Sequence, residues 1–115
     1  YGGKVSGYEV AAKTGTTNYD PSTIKAYGLS SGAVKDYWVV GYTPNISIGL
    51  WYGYDKIDKE HFNTIADNSR KSKIYNMILK GMISESARTF KTPKSVSAVS
   101  VELGSIPAML PRGIR

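Results

Sequence analysis

The stretch Tyr8-Glu9-Val10-Ala11-Ala12-Lys13-Thr14-Gly15-Thr16-Thr17 carries the reading of this chain. By the two-residue repeat of a strand, Tyr8, Val10 and Ala12 share one face and Glu9, Ala11 and Lys13 the other. The strand is expected to end in Lys13-Thr14-Gly15-Thr16-Thr17, ahead of the turn-rich Asn18-Tyr19-Asp20-Pro21. A cation, three hydroxyls and a glycine at that place make a site for a carboxylate and a developing oxyanion. This is acyl-transfer equipment without a nucleophile.

Outward from this run, Asn18 to Lys35 is rich in turn residues and reads as a long surface loop. Tyr37 to Tyr42 and Ile46 to Tyr54 are aromatic and β-branched runs separated by Thr43-Pro44-Asn45, a hairpin with Pro44 at the first central turn position. Glycines 41, 49 and 53 inside those strands point to close packing by another element. After a polar connector, Ser69 to Ile83 predicts an amphipathic helix covering the sheet. Its apolar face is expected at Ile74, Ile78 and Met82 with Tyr75, Leu79 and Ile83 beside them, and Met77 and Met82 read as core filling. Lys73, Asn76, Lys80 and Ser84 form the polar stripe. Two segments result: 1–91, and an irregular extension 92–115 in which Val96 to Leu103 could pair as one short strand.

Composition limits the chemistry. The 115 residues suffice for one domain, and 41% apolar content is that of a globular chain. Most of the 12 glycines and 9 tyrosines precede Asp55, a bias toward strands and tight turns in the first half. With no cysteine, a thiol nucleophile, a disulfide or a Cys-based zinc site is excluded. His61 has no second ligand at helical spacing, so it reads as a surface residue and not as part of a triad. No apolar run approaches the ~20 residues of a membrane span, and Tyr1 in place of an initiator methionine reads as the start of a segment cut from a longer protein.

The net charge of +6 concentrates after Asp55, in Lys56, Lys59, Arg70, Lys71, Lys73, Lys80, Arg88, Lys91 and Lys94. A solvated helix face and linker lysines account for it. The alternative is a noncatalytic basic module binding an anionic cell-wall polymer. No groove-reading motif accompanies the charge, so nucleic acid is not an expected partner.

Two rival motifs fail on context. Gly7 to Thr14 approaches the phosphate loop G-x-x-x-x-G-K-[ST] but has Ala12 where that loop needs glycine, and strand alternation runs through it. Ser22-Thr23-Ile24-Lys25 fits S-x-x-K by spacing, yet it follows the K-T-G strand in a polar loop.

The sequence resembles the C-terminal part of the transpeptidase domain of penicillin-binding proteins, in particular the bifunctional high-molecular-weight type of Gram-positive bacteria. The resemblance rests on Val10 to Asn18 around K-T-G, then Tyr37-Trp38-Val39-Val40-Gly41-Tyr42-Thr43-Pro44, then Ile48 to Asp55, in the family's order. It implies an α/β (α+β) fragment of the penicillin-binding and serine β-lactamase-like fold, with antiparallel strands and a C-terminal helix packed on them. It further implies part of a serine D,D-transpeptidase that cross-links peptidoglycan stem peptides and is acylated by β-lactams, with no metal or cofactor. In that scheme Lys13 is the catalytic cation, the Thr16 backbone N–H an oxyanion-hole donor, and Thr14, Gly15, Thr16 and Thr17 the substrate-binding residues. The nucleophile, its S-x-x-K motif and the second motif S-x-N would come from the remainder of the same protein. That protein would sit on the extracytoplasmic face of the cell membrane, anchored through a missing N-terminal segment, and this chain alone would be inactive.

Overall fold

In the computed structural model, which describes residues 4–111, the first strand begins later than its alternation suggests and runs straight through the motif. β1 is Ala11–Asn18, so Lys13 to Thr17 form the body of a strand and not the turn after it. The backbone at Tyr8 and Glu9 is occupied elsewhere. The Tyr8 N–H donates to Val5 O at 3.1 Å and the Glu9 N–H to Arg88 O at 2.7 Å. The Glu9 carboxylate then accepts from Phe90 N–H at 2.8 Å, tying this entry to the segment after the last helix.

The loop expected over Asn18 to Lys35 contains a helix, α1, at Pro21–Tyr27. The Asp20 carboxylate caps it by accepting from Thr23 N–H at 2.7 Å, Pro21 fills the first helical position, and Gly28 closes it with φ 65°. Those are the ordinary start and stop signals of a short helix. Ser22 and Lys25 therefore lie on a helix and not in a loop, with Ser22 Oγ donating to Asp20 Oδ1 at 2.9 Å.

β2 (Val34–Tyr42) and β3 (Ser47–Gly53) form the expected hairpin, and the three antiparallel strands lie in the order β1-β2-β3. At the turn, Thr43 Oγ1 accepts from Ile46 N–H at 3.0 Å, and Thr43 N–H donates to Ile46 O at 2.8 Å. Register places Thr14 opposite Val39, Gly15 opposite Trp38 and Thr16 opposite Tyr37. One sheet face thus carries Thr14, Thr16, Tyr37, Val39, Gly41 and Ile48, and the other carries Lys13, Gly15, Thr17, Trp38, Val40 and Trp51.

α2 (Ala66–Met82), continued by a 3-10 turn at Ile83–Glu85, packs on the first of these faces. Its buried stripe is Asp67, Lys71, Tyr75 and Leu79, extended by Ile83. These are successive positions four apart, so the expected Tyr75, Leu79 and Ile83 form the centre of the buried face and the expected Ile74, Ile78 and Met82 its outer flank. Ile74, Ile78 and Met82 stay partly open, and Met77 is 74% exposed, so the two methionines do not fill this core. The core itself is Val39, Ile46, Ile48, Tyr75, Leu79 and Ile83.

Of the three strand glycines only Gly41 answers to packing across the sheet, where a Cβ would fall on the Tyr75 hydroxyl. Gly53 makes room for the Trp51 ring on its own strand, and Gly49 faces open space. In the extension no strand forms over 96–103 among the described residues, and Val96, Val99, Val101 and Leu103 are all exposed. Apolar residues without a partner strand cannot offset the entropy of an extended chain. Residues 1–3 and 112–115, the outer ends of the two expected segments, lie outside the described residues.

Candidate active site

Because β1 ends the strand order, its outer edge has no partner strand among the described residues. The motif lies along that edge, and the pleat divides it. Lys13, Gly15 and Thr17 point to the open face, and Thr14 and Thr16 to the α2 face. The cation and all three hydroxyls are therefore not one cluster, as the bare sequence had them.

On the open face Lys13 is exposed, and its Nζ donates to the Thr14 carbonyl at 3.0 Å. Gly15 leaves a shallow space beside Trp38, where an added Cβ would make an ordinary contact of 3.6 Å. The Thr17 hydroxyl is engaged, donating to Asp36 Oδ2 at 2.7 Å, while the Trp51 indole N–H donates to Asp36 Oδ1 at 2.8 Å. Those two donors, Thr17 first, hold the Asp36 carboxyl below the ordinary carboxylate range. Exposed Trp38, Val40, Tyr42 and Trp51 give this face an apolar, aromatic surface.

On the other face Thr14 and Thr16 line a cavity of about 280 Å³ with Tyr37, Ile65, Asn68 and Lys71. The floor is set by the connector and the first turns of α2. Tyr37 Oη donates to Thr64 O at 2.9 Å, and the buried Asn63 amide donates to Lys35 O at 3.3 Å and Tyr52 O at 3.2 Å. Lys71, counted with the solvated lysines on sequence, is only 2% exposed; burial pushes its ammonium pKa down. One signal could have found it: Lys71, Tyr75, Leu79 and Ile83 share a helix face at a spacing of four. His61 is the exposed residue expected, with Nδ1 2.8 Å from Asp58 Oδ1 in its own turn.

Asp67 anchors the start of α2. Burial alone would raise its carboxyl pKa, but the Thr64 N–H at 2.7 Å, Arg70 Nη1 at 2.7 Å and the Thr64 hydroxyl hold it below the ordinary value. A folded pKa below the unfolded one, near 4, means the stabilisation is present above that pH and is lost as pH falls through the folded value. Urea midpoints measured at about pH 7 and about pH 3 should therefore drop less in Asp67→Asn than in the parent chain. An identical drop in both would show that Asp67 does not couple folding to pH.

An edge K-T-G strand in a three-stranded antiparallel sheet, with a helix on one face, is the α+β arrangement of a piece of a penicillin-binding fold. No protein-family model matches the chain. Individual proteins do: it is 36% identical over 107 residues, 93% of its length, to penicillin-binding protein 1A/1B of Bacillus subtilis strain 168. It is 39% identical over 88 residues, 76% of its length, to penicillin-binding protein 1F of the same organism. A shorter match, 43% over 53 residues, is to penicillin-binding protein 1A of Mycobacterium tuberculosis. The chain spans 12%, 11% and 5% of the lengths of these three relatives. It belongs to the penicillin-binding proteins, as a C-terminal portion of one.

Proposed function

We propose that this chain supplies the K-T-G wall of a serine D,D-transpeptidase, the rest of the site coming from other parts of the same protein. The supporting observation is the motif's place on a strand whose outer edge has no partner strand among the described residues, since an extended stem peptide can add there as a further strand. At an edge both faces are within reach of one ligand, so Lys13 on one side and Thr14 and Thr16 on the other can meet it together. Lys13 supports proton transfer near the serine and favours an ionised carboxylate, and Thr14 and Thr16 donate hydroxyl hydrogens. Gly15 lets the substrate lie against the strand. The Thr16 N–H contributes one of two oxyanion donors, worth about 2.7 to 4 kcal/mol in the transition state.

The serine of an S-x-x-K motif attacks the penultimate D-alanyl carbonyl of the stem peptide, expels the terminal D-alanine, and passes the acyl group to an amine of a neighbouring stem. A β-lactam carbonyl is attacked in the same way. The whole protein works at the extracytoplasmic membrane face through an anchor outside the described residues, among which no helix is long and apolar enough to cross a membrane. Fluorescent penicillin tests the division of labour. The chain alone should stay unlabelled, and addition of the companion segment carrying S-x-x-K should give a covalent adduct on that segment. Labelling of the chain alone would overturn the proposal.

A further inference from the structure

β1 is an edge strand paired on one side only, and that pairing begins at Ala11 opposite Tyr42, two residues before Lys13. The approach to it is held by a different part of the chain. Residues 86–90, which leave the 3-10 turn after α2, are sewn to the hairpin turn first: Ser86 Oγ donates to Thr43 Oγ1 at 2.7 Å and Ala87 N–H to Asn45 Oδ1 at 2.7 Å. Next, Arg88 O accepts the Glu9 N–H at 2.7 Å, and the Glu9 carboxylate accepts the Phe90 N–H at 2.8 Å. Glu9 thus grips this strap with its backbone and its side chain at once. The Arg88 guanidinium lies 4.7 Å from the centroid of the Tyr8 ring and donates to Gly7 O at 3.4 Å. Finally, the Phe90 ring meets Tyr42 edge-on with centroids 5.7 Å apart, on the very residue that faces Ala11.

We propose that Glu9 is a positioning residue for the K-T-G strand, fixing through this clasp where β1 begins and hence where Lys13 stands. A strand held from one side can fray or slip at an unpinned end, and a slip of one residue would exchange the faces of Lys13 and Thr14. Neither bond of Glu9 involves the motif itself. Their effect is on placement, and a misplacement of about 1 Å far from the chemistry can cost about a hundredfold in rate. The inference rests on reading β1 as the transpeptidase wall, and one arm of its test is independent of that reading.

Two variants separate placement from folding. Glu9→Ala removes an exposed acceptor, whereas the amide oxygen of Glu9→Gln can still accept from the Phe90 N–H. In the 115-residue chain, the slowly exchanging amides of β1 should lose about tenfold in protection in Glu9→Ala. Those of Tyr75 and Leu79 in α2 should keep theirs, and Glu9→Gln should match the parent. In the assembled protein, the limiting rate of labelling by fluorescent penicillin should fall about ten- to a hundredfold in Glu9→Ala, at a nearly unchanged half-saturating concentration, and recover in Glu9→Gln. Combined with Lys13→Ala, Glu9→Ala should slow labelling no further, because it acts through Lys13. Parent-like exchange across β1, an equal loss of protection in α2, an unchanged labelling rate or an additive effect in the double variant overturns the proposal. An assembled parent protein that never labels ends the transpeptidase reading, whereas the exchange arm upholds or overturns the fixing of β1 by Glu9 regardless.

Discussion

Replacing Lys13 with alanine should slow acylation of the assembled protein by about 10²- to 10⁴-fold, the range for removing a positioned proton-transfer group. The side chain is exposed and its one hydrogen bond is to the adjacent Thr14 carbonyl, so its loss removes no core contact. Thermal unfolding of the variant should match the parent, which separates a chemical effect from a folding one. The measurement is the rate of covalent labelling by fluorescent penicillin with the companion segment in excess. An unchanged rate would remove Lys13 from the mechanism.

Tyr75→Ala should have the largest effect on stability, about 3 to 5 kcal/mol, as found when a large buried aromatic is truncated. Tyr75 is 1% exposed at the centre of the cluster with Val39, Ile48 and Leu79, and its ring end occupies the space that Gly41 leaves open in β2. Truncation leaves that space without atoms on either side, so neither element can close it by a rotamer change. The loss is a large share of the 5 to 15 kcal/mol that usually holds a domain folded. Urea denaturation followed by tryptophan fluorescence reports it, because Trp38 and Trp51 sit on the opposite face of the same strands. A change below about 1 kcal/mol would mean that α2 does not rest on the sheet through Tyr75.

The two halves of the chain differ in how far their sequence could be read. The hairpin was legible because aromatic and β-branched runs flank a turn that can be nothing else, and the observed β2 and β3 follow those runs closely. α1 was also written in the sequence, as Asp20-Pro21 and Gly28, but seven helical residues among serines and glycines have no apolar periodicity to set against a loop. The phase of α2 could not be settled locally. Ile74, Ile78 and Met82 make as good a stripe as Tyr75, Leu79 and Ile83, and only the fit of Tyr75 against Gly41 selects between them.

For the motif itself, sequence alone determined that a cation, hydroxyls and a glycine stand together in a strand-forming segment, and that the nucleophile is not beside them. Tertiary structure decided which of them share a surface. The two-residue pleat sends Lys13 to one face and Thr14 and Thr16 to the other, and only the packing of α2 against the sheet brings Lys71, distant in the chain, to the cavity they line. Composition and spacing record which groups are available. Their convergence depends on contacts between residues far apart in sequence, which no local pattern specifies.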